Sequence, residues 1–160
     1  MNKLASAVIG LSLLLSACAT TQAPPSTAPG ADFLTRNGAA KRVVTTASGL
    51  QYFVVKSGPK GGRSPVSGEN VTFDYEGKLT NGETFDSSFA RGEPLSGDID
   101  GFVPGFSEAL KLMKPGDEWI VWIPPALGSG ERATGTIPAN SVLRFRLALH
   151  KVGAATAPTP

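Results

Sequence analysis

Cysteine and histidine are scarce in this 160-residue chain, which has one of each, Cys18 and His150. A single cysteine cannot form an intramolecular disulfide, so the core must stabilise the fold without covalent cross-links. No cluster of ligand-type side chains has the spacing of a metal site, and no second cysteine is available as a nucleophile. The sequence therefore indicates no metal centre and no cofactor. We interpret His150, near the end of the last predicted strand, as a surface residue.

Excess charge is also lacking. Fifteen Lys and Arg residues face thirteen Asp and Glu residues, for a formal net charge of +2, and no stretch concentrates the positive charge. Nucleic-acid binding depends on a basic patch or stripe, so the sequence gives no support to that class of function. The hydrophobic content of 41% and the length suit one soluble domain with tails.

Residues 1–17 are interpreted as a lipoprotein signal peptide. Lys3 supplies the positive charge, and Leu4 to Leu15 form an apolar run of about twelve residues, which suits a signal sequence and is short for a membrane span. The sequence Leu15-Ser16-Ala17-Cys18 resembles the bacterial lipobox. It predicts cleavage before Cys18 and acylation of that residue, with palmitate among the chains. The alternative is an ordinary signal-peptide cysteine that is discarded after cleavage nearby.

Residues 18–38 are rich in Thr, Ala, Pro and Gly, and we expect them to form a flexible linker after the lipidated Cys18. Ala19 stands where some bacteria use an aspartate for retention in the inner membrane. Its presence favours the outer membrane, with the domain facing the periplasm.

The clearest structural pattern lies between residues 71 and 88. Apolar and aromatic residues alternate there with polar ones at a period of two, which is typical of a half-buried strand. The residues predicted to face inward are Val71, Phe73, Tyr75 and Leu79. Asn81-Gly82 then predicts a hairpin with a type I′ turn, after which the chain returns through Phe85 to Asp86.

Other segments have the patterns of strands, of one helix and of loops. Strands are expected at 41–56, 118–123 and 141–152, an irregular crossing at 87–101, a loop at 124–138 and a helix at 102–114. The helix carries its apolar residues on one stripe, Phe106, Ala109, Leu110 and Met113. In the strand at 118–123, an inward Trp119 leaves Trp122 on the outer face as a candidate contact surface.

Several short motifs occur in a fixed order over residues 40–152. They are Tyr75, Phe85-Asp86-Ser87-Ser88, Arg91 with Pro94, Phe102-Val103-Pro104-Gly105-Phe106, Ile123-Pro124-Pro125, Ile137-Pro138 and Leu143-Arg144-Phe145. Their order and spacing resemble those of FKBP-type peptidyl-prolyl cis/trans isomerases. The resemblance implies an α+β fold in which an antiparallel half-barrel sheet of five to six strands wraps around one short helix. The domain would span residues 39–153, followed by a disordered tail at 154–160.

The resemblance also implies the activity. Rotation about an X-Pro bond meets a barrier of about 18–20 kcal/mol because the amide must lose its resonance. A dry, aromatic cleft that favours the twisted amide needs no nucleophile, metal or cofactor. The catalytic set implied is Tyr75, Phe85, Asp86, Val103, Phe106 and Phe145, and the substrate-binding set is Arg91, Leu95, Phe102, Ser129 and Ile137. The backbone N–H of Val103 would bind a substrate carbonyl, and Asp86 would pair with Arg91 beside Tyr75.

Simpler interpretations of these residues stay open. Phe85, Phe106 and Phe145 could be core residues only, and Asp86 could be a turn or capping residue. A non-catalytic module that binds proline-containing or unfolded segments, as a chaperone does, is the alternative function.

The chain also departs from the family pattern. Phe106 replaces a larger aromatic residue, commonly Trp, and Ser129 stands in place of a tyrosine whose hydroxyl bonds the ligand. Leu95 and Gly97 stand where aromatic residues are usual. These changes predict a wider, less apolar cleft, weaker drug binding and reduced but not abolished isomerase activity.

The expected partners are proline-containing polypeptides of the cell envelope and, through the lipid anchor, the membrane. Larger envelope relatives dimerise through a long helical segment ahead of the catalytic domain. No segment of that kind is recognisable here, so the protein is expected to be a monomer.

Overall fold

The computed structural model describes residues 29–155. The predicted signal peptide, the predicted lipidation of Cys18 and most of the predicted tail lie outside the described residues. Within residues 29–155, no helix has the length and apolar character needed to cross a membrane.

One antiparallel sheet dominates the described part of the chain. Its strands follow the spatial order β1-β2-β6-β7-β3-β4, and β5 pairs with the first half of β3. The strands are β1 Val44–Thr45, β2 Gln51–Lys56, β3 Glu69–Leu79, β4 Thr84–Ser87, β5 Leu95–Asp98, β6 Glu118–Ile123 and β7 Leu143–Ala155. The α-helices are α1 Pro29–Gly38, α2 Ser88–Arg91 and α3 Pro104–Leu112, with short 3-10 turns at Ile99–Gly101 and Pro125–Leu127. The predicted α+β class is confirmed, although the described part has seven strands where five to six were predicted, and has α1 and α2 besides the one predicted helix.

The long strand β3 is the centre of the sheet. Its residues alternate between buried and half-buried along its whole length, as the period of two predicts. On the inner face α3 covers the sheet with the predicted apolar stripe, and Phe106, Ala109, Leu110 and Met113 are all buried. The core therefore lies between α3 and the concave face of the sheet.

The turn between β3 and β4 differs from the predicted type I′ turn. Gly82 has a φ of 91°, but Asn81 does not adopt a positive φ. The N–H of Leu79 donates to the Glu83 carbonyl at 2.8 Å, and the N–H of Gly82 donates to the Leu79 carbonyl at 3.0 Å. The loop thus has one residue more than predicted. The Asn81 side-chain oxygen accepts a hydrogen bond from the Glu83 N–H at 3.0 Å, which is a local role that asparagine often takes in turns.

The predicted linker is wrong for residues 29–38, which form α1. Gln51 holds this helix to the sheet, because its Nε2 donates to the Leu34 carbonyl and its Oε1 accepts from Asn37 Nδ2, both at 2.8 Å. A helix this short depends on such tertiary contacts, which its local sequence does not reveal. Trp122 is half-buried on the outer face, where it shares a depression with Phe33 of α1.

Three other boundaries also differ from the predictions. The predicted strand at 41–56 is interrupted by a turn in which the Thr46 N–H donates to the Leu50 carbonyl at 2.8 Å. The irregular crossing at 87–101 contains α2 and β5. The predicted tail starts too early, because β7 reaches Ala155, which pairs with Glu69 at the start of β3.

Acid should weaken the fold partly through Glu69, which is 8% exposed. Its carboxylate accepts hydrogen bonds from Arg63 Nη1 and Nη2 at 2.8 and 2.7 Å, and from the Val66 N–H at 2.9 Å. These bonds, with that from the Arg63 side chain contributing most, lower the pKa of Glu69 to about 2. Because the pKa in the unfolded chain is about 4.3, the stabilisation is complete above that pH and is lost as the pH falls towards 2.

We therefore expect Glu69→Gln to flatten the pH dependence of the free energy of unfolding between about pH 5 and pH 2. Urea titrations at several pH values measure it. Glu83→Gln, in the exposed hairpin turn, is the control. Equal slopes for wild type and Glu69→Gln would contradict the assignment.

Candidate active site

A cleft of about 330 Å³ opens between the concave face of the sheet and the start of α3. Most of the predicted site residues meet there, although they come from β3, β4, β5, β7 and α3. The lining residues are Tyr75, Phe85, Asp86, Leu95, Gly101, Phe102, Val103, Phe106 and Phe145. The fold thus brings distant motifs together into one aromatic cavity.

Phe106 forms the floor of this cleft and is 6% exposed. Its ring centroid lies 5.0 Å from that of Phe145 in an edge-to-face arrangement, 5.3 Å from that of Phe73 and 5.4 Å from that of Phe102. Tyr75 meets it edge-on at 6.3 Å. Such geometries are favourable for aromatic pairs and restrict each ring. The apolar floor is therefore set before any ligand binds.

Tyr75, Asp86 and Arg91 form the polar edge of the cleft. The Tyr75 hydroxyl donates to Asp86 Oδ2 at 2.5 Å, Arg91 Nη1 donates to Asp86 Oδ1, and Arg91 Nη2 donates to the Tyr75 hydroxyl at 3.0 Å. The Ser87 N–H also donates to Asp86 Oδ1, at 2.8 Å. Asp86 therefore pairs with Arg91 beside Tyr75, as the resemblance implies.

The same contacts set the protonation states of Asp86 and Tyr75. The hydrogen bond from Tyr75, together with Arg91 and against the effect of burial, lowers the pKa of Asp86. Burial and the hydrogen bond to Asp86 raise the pKa of Tyr75. At neutral pH the cleft consequently has a carboxylate and a phenol at its edge.

The short helix α2 positions Arg91. It begins after Ser87, whose hydroxyl accepts from the Ala90 N–H at 3.2 Å, and it ends before Gly92, which has a φ of 69°. The fully buried Ser88 hydroxyl accepts from the Tyr75 N–H at 2.8 Å and donates to Asp74 Oδ1 at 2.6 Å. These bonds fix α2 against β3, so Arg91 and Tyr75 keep one relative position.

Asp74 also connects this helix to β7. Its Oδ2 lies 2.8 Å from His150 Nε2, and the His150 side chain is 43% exposed. The histidine is therefore a surface residue that supports Asp74 from outside the cleft. Among the residues that the structure describes, no three His, Cys, Asp or Glu side chains cluster as a metal site.

Gly77 is a site-forming residue that the sequence patterns do not single out. A Cβ atom at this position would lie 2.5 Å from the Phe85 ring and 2.8 Å from the Phe145 ring. Glycine therefore lets these two rings lie over β3, where they meet edge-to-face at 5.6 Å between centroids. A glycine on the inward face of a long strand is the one signal that could have indicated such a close approach.

Ser129 and Ile137 are not among the residues that line the cleft. The Ser129 hydroxyl donates to the Ser141 carbonyl at 2.8 Å, so it is engaged within its own loop. Ile137 packs against the edge of the core. The gap predicted at Gly97 is filled, because the Phe102 ring lies 3.2 Å from where a Cβ atom on Gly97 would be.

Val103 stands at the rim of the cleft, 41% exposed, immediately before α3. Its carbonyl accepts hydrogen bonds from the N–H groups of Phe106 and Ser107 at 2.9 and 3.1 Å. Within residues 29–155, its own N–H donates to no backbone or side-chain acceptor. Val103 thus offers a free backbone donor beside the aromatic walls of the cleft.

A protein-family model described as FKBP-type peptidyl-prolyl cis-trans isomerase matches residues 61–150, which are more than half of the chain. The chain belongs to this family. A second family model, described as the domain amino terminal to FKBP-type peptidyl-prolyl isomerase, matches residues 5–54, which include α1, β1 and the first four residues of β2. The predicted family is thereby confirmed, and the described helix in the predicted linker falls within a family segment.

Named FKBP relatives are similar over most of the described chain. Peptidyl-prolyl cis-trans isomerase Mip from Coxiella burnetii is 44% identical over 75% of this chain and 52% of its own length. The FKBP-type 22 kDa peptidyl-prolyl cis-trans isomerase from Escherichia coli is 41% identical over 78% of this chain and 60% of its own length. The crystal structure of FkpA from Escherichia coli superimposes with a TM-score of 0.75 at 38% identity, over 79% of this chain and 59% of that one. The chain thus spans between half and three fifths of these FKBP proteins.

Adding a methyl group at Gly77 should disturb the FKBP cleft. We expect Gly77→Ala to lower the free energy of unfolding by about 1–3 kcal/mol, because the rings of Phe85 and Phe145 must leave their positions. Urea denaturation measures the loss, and near-ultraviolet circular dichroism reports the ring environments. Gly153→Ala is the control, since its added methyl group would lie 3.5 Å from the nearest atom. Equal stability and spectra for the two variants would contradict this role.

Proposed function

We propose that this protein is a peptidyl-prolyl cis/trans isomerase that acts on proline-containing polypeptides and assists their folding. The observation that carries the proposal is the aromatic cleft, in which Phe106 forms the floor and the Tyr75–Asp86–Arg91 cluster forms one edge. Family membership supports the same reaction, since the named relatives are isomerases.

The geometry suits a reaction that only rotates a bond. A planar amide is polar and well hydrated, and twisting it reduces both its resonance and its need for water. Rings that are held by one another present a dry wall to the proline, which favours the twisted amide relative to the planar one. The free N–H of Val103 can hold a substrate carbonyl while the other half of the peptide rotates. Each 1.36 kcal/mol of selective stabilisation accelerates the rotation about tenfold.

Asp86 does not serve as a nucleophile or a general base in this proposal. Both of its carboxylate oxygens already accept hydrogen bonds, from Tyr75 on one side and from Arg91 and Ser87 on the other. Its pKa is lowered, so it stays charged at neutral pH. Its role is to hold the Tyr75 hydroxyl and the Arg91 guanidinium in place at the edge of the cleft.

The activity is tested with the whole protein and a short X-Pro peptide in a protease-free isomerisation assay. We expect acceleration by the wild type and a fall in kcat/KM of about tenfold to hundredfold in Asp86→Leu, because hydrogen bonds to a charged group are lost. Glu131→Leu, a matched change in an exposed loop, should retain the wild-type rate.

A flat rate from wild-type protein with native circular dichroism would contradict the isomerase. The alternative, a non-catalytic module that binds proline-containing segments, would then remain, although family membership does not favour it.

We also propose that Cys18 anchors the protein by palmitate and other acyl chains to the outer membrane, facing the periplasm, where it acts as a monomer. The support is the signal-like run before Leu15-Ser16-Ala17-Cys18 and the residue Ala19. Several acyl chains would make the attachment effectively permanent, whereas one chain anchors only marginally.

Cells that express the protein should incorporate labelled palmitate into the wild type and not into Cys18→Ser, which should leave the membrane fraction. Density separation of the two membranes identifies the location, and sedimentation of the detergent-solubilised protein gives the oligomeric state. Label in Cys18→Ser, or wild-type protein without label, would contradict the lipidation.

A further inference from the structure

A second depression, of about 450 Å³, lies beside the cleft. It runs along the outer face of α3 from Phe102 and Pro104 to Leu112. We name it the α3 groove. Phe102 lines both the cleft and the α3 groove, so the two cavities adjoin at this ring.

Exposed apolar side chains lie at the two ends of this path. Val103, at the rim of the cleft, is 41% exposed, and Leu112, at the far end of the α3 groove, is 44% exposed. Leu110 in α3 and Met113 immediately after it are fully buried, so they already supply the apolar contacts with the core at this end of the helix. Leu112 is not needed for that packing. An exposed leucine at the end of a groove that starts at a binding cleft is placed to contact a ligand that leaves the cleft.

The polar edges of the α3 groove are already satisfied. Lys111 Nζ donates to Asp100 Oδ1 at 2.6 Å and to Ser67 Oγ at 2.9 Å. Glu108 accepts hydrogen bonds from Thr46 at 2.8 Å and from Ser48 at 2.7 and 2.9 Å. These bonds hold the edges in place. The edges carry two carboxylates, Asp100 and Glu108, and one ammonium group, Lys111, so their net charge is negative. The α3 groove is therefore suited to an apolar side chain and poorly suited to an acidic one.

The length of the α3 groove determines how many residues of an extended peptide would reach from one end of it to the other. Pro104 and Leu112 are eight residues apart on α3, and at 1.5 Å per residue they are separated by about 12 Å along the helix axis. An extended polypeptide advances about 3.3 Å per residue, so about four residues span this distance.

We propose that the polypeptide whose proline occupies the cleft continues along the α3 groove, and that an apolar side chain about four residues from the proline packs on Leu112. This inference rests on the proposed function and adds a sequence preference to it. The preferred clients are then extended, unfolded segments that carry an apolar residue at this distance from the proline.

The test uses thirteen-residue peptides of serine and glycine with one proline at the central position, and a single leucine is placed two to six residues from that proline on either side. The whole protein is used, and both kcat/KM and binding affinity, from fluorescence anisotropy of labelled peptides, are measured for each peptide. We expect one series to peak at a spacing near four, with a gain of about fivefold over the peptide that lacks leucine.

Leu112→Ser should remove this gain and leave the rate on a four-residue X-Pro peptide unchanged, because that peptide is too short to reach the α3 groove. The matched control is Val55→Ser, since Val55 is 47% exposed on β2 and lines neither cavity. It should keep the gain. Urea denaturation of both variants confirms that they are folded.

The outcomes separate the two proposals. If the short peptide is turned over but the longer peptides show no spacing preference, the proposed role of the α3 groove is contradicted and the isomerase proposal stands. A spacing preference that persists in Leu112→Ser has the same meaning. Absence of turnover would contradict the isomerase, and the affinities would still decide whether leucine at the stated spacing packs on Leu112.

Discussion

The ring of Phe106 is the contact on which both the core and the cleft depend. It packs against Phe73 of the core on one side, and on the other it forms the floor on which a proline would rest. Four neighbouring rings limit its movement, so the floor is rigid because the core is packed. In the proposed reaction, which only twists an amide, this rigidity would favour the twisted form, since a floor that moved with the substrate would fit the planar and twisted forms alike.

A second constraint joins the polar edge to this floor. Tyr75 contacts Phe106 with its ring and Asp86 with its hydroxyl, so a single residue belongs to the aromatic and the charged halves of the site. The buried Ser88 fixes the backbone of Tyr75 to α2, which carries Arg91. The relative position of the charged groups is thus supported by hydrogen bonds from the Ser88 side chain of α2 to the backbone of Tyr75 and the side chain of Asp74 in β3. A ligand is not needed to assemble them.

Local patterns predicted a large part of this arrangement. The alternation in β3 placed Tyr75 on the inner face, and the helical stripe placed Phe106 on the side of α3 that faces the sheet. Both follow from periodicities that neighbouring residues express in the sequence. The motif order, which carried the resemblance, placed Asp86 and Arg91 at the same cleft, although periodicity alone says nothing of their contact.

Other features depend on contacts between distant segments, which no local pattern contains. The helix α1 is held by Gln51, thirteen residues after its last residue Gly38 in the chain, and Gly77 is required by rings from β4 and β7. Ser129 aligned with a ligand-binding tyrosine in the motif order, yet its hydroxyl bonds to the Ser141 carbonyl. Motif register fixes the position of a residue along the backbone, but the direction of a short side chain is decided by the nearest acceptor.

Packing between distant segments can also keep the wall of the cleft intact where the chain departs from the family pattern. Gly97 has no side chain, and the space above it is occupied by the Phe102 ring, which in turn contacts Phe106 and Phe73. A small residue at one position is thus compensated by a ring from the neighbouring segment, since close packing favours filled space. The ring that closes this gap is also the wall that the cleft shares with the α3 groove. Gly97 itself is not among the residues that line the cleft or the α3 groove. On the proposed substrate path it would therefore affect binding only through the position of the Phe102 ring, which fills the space beside it.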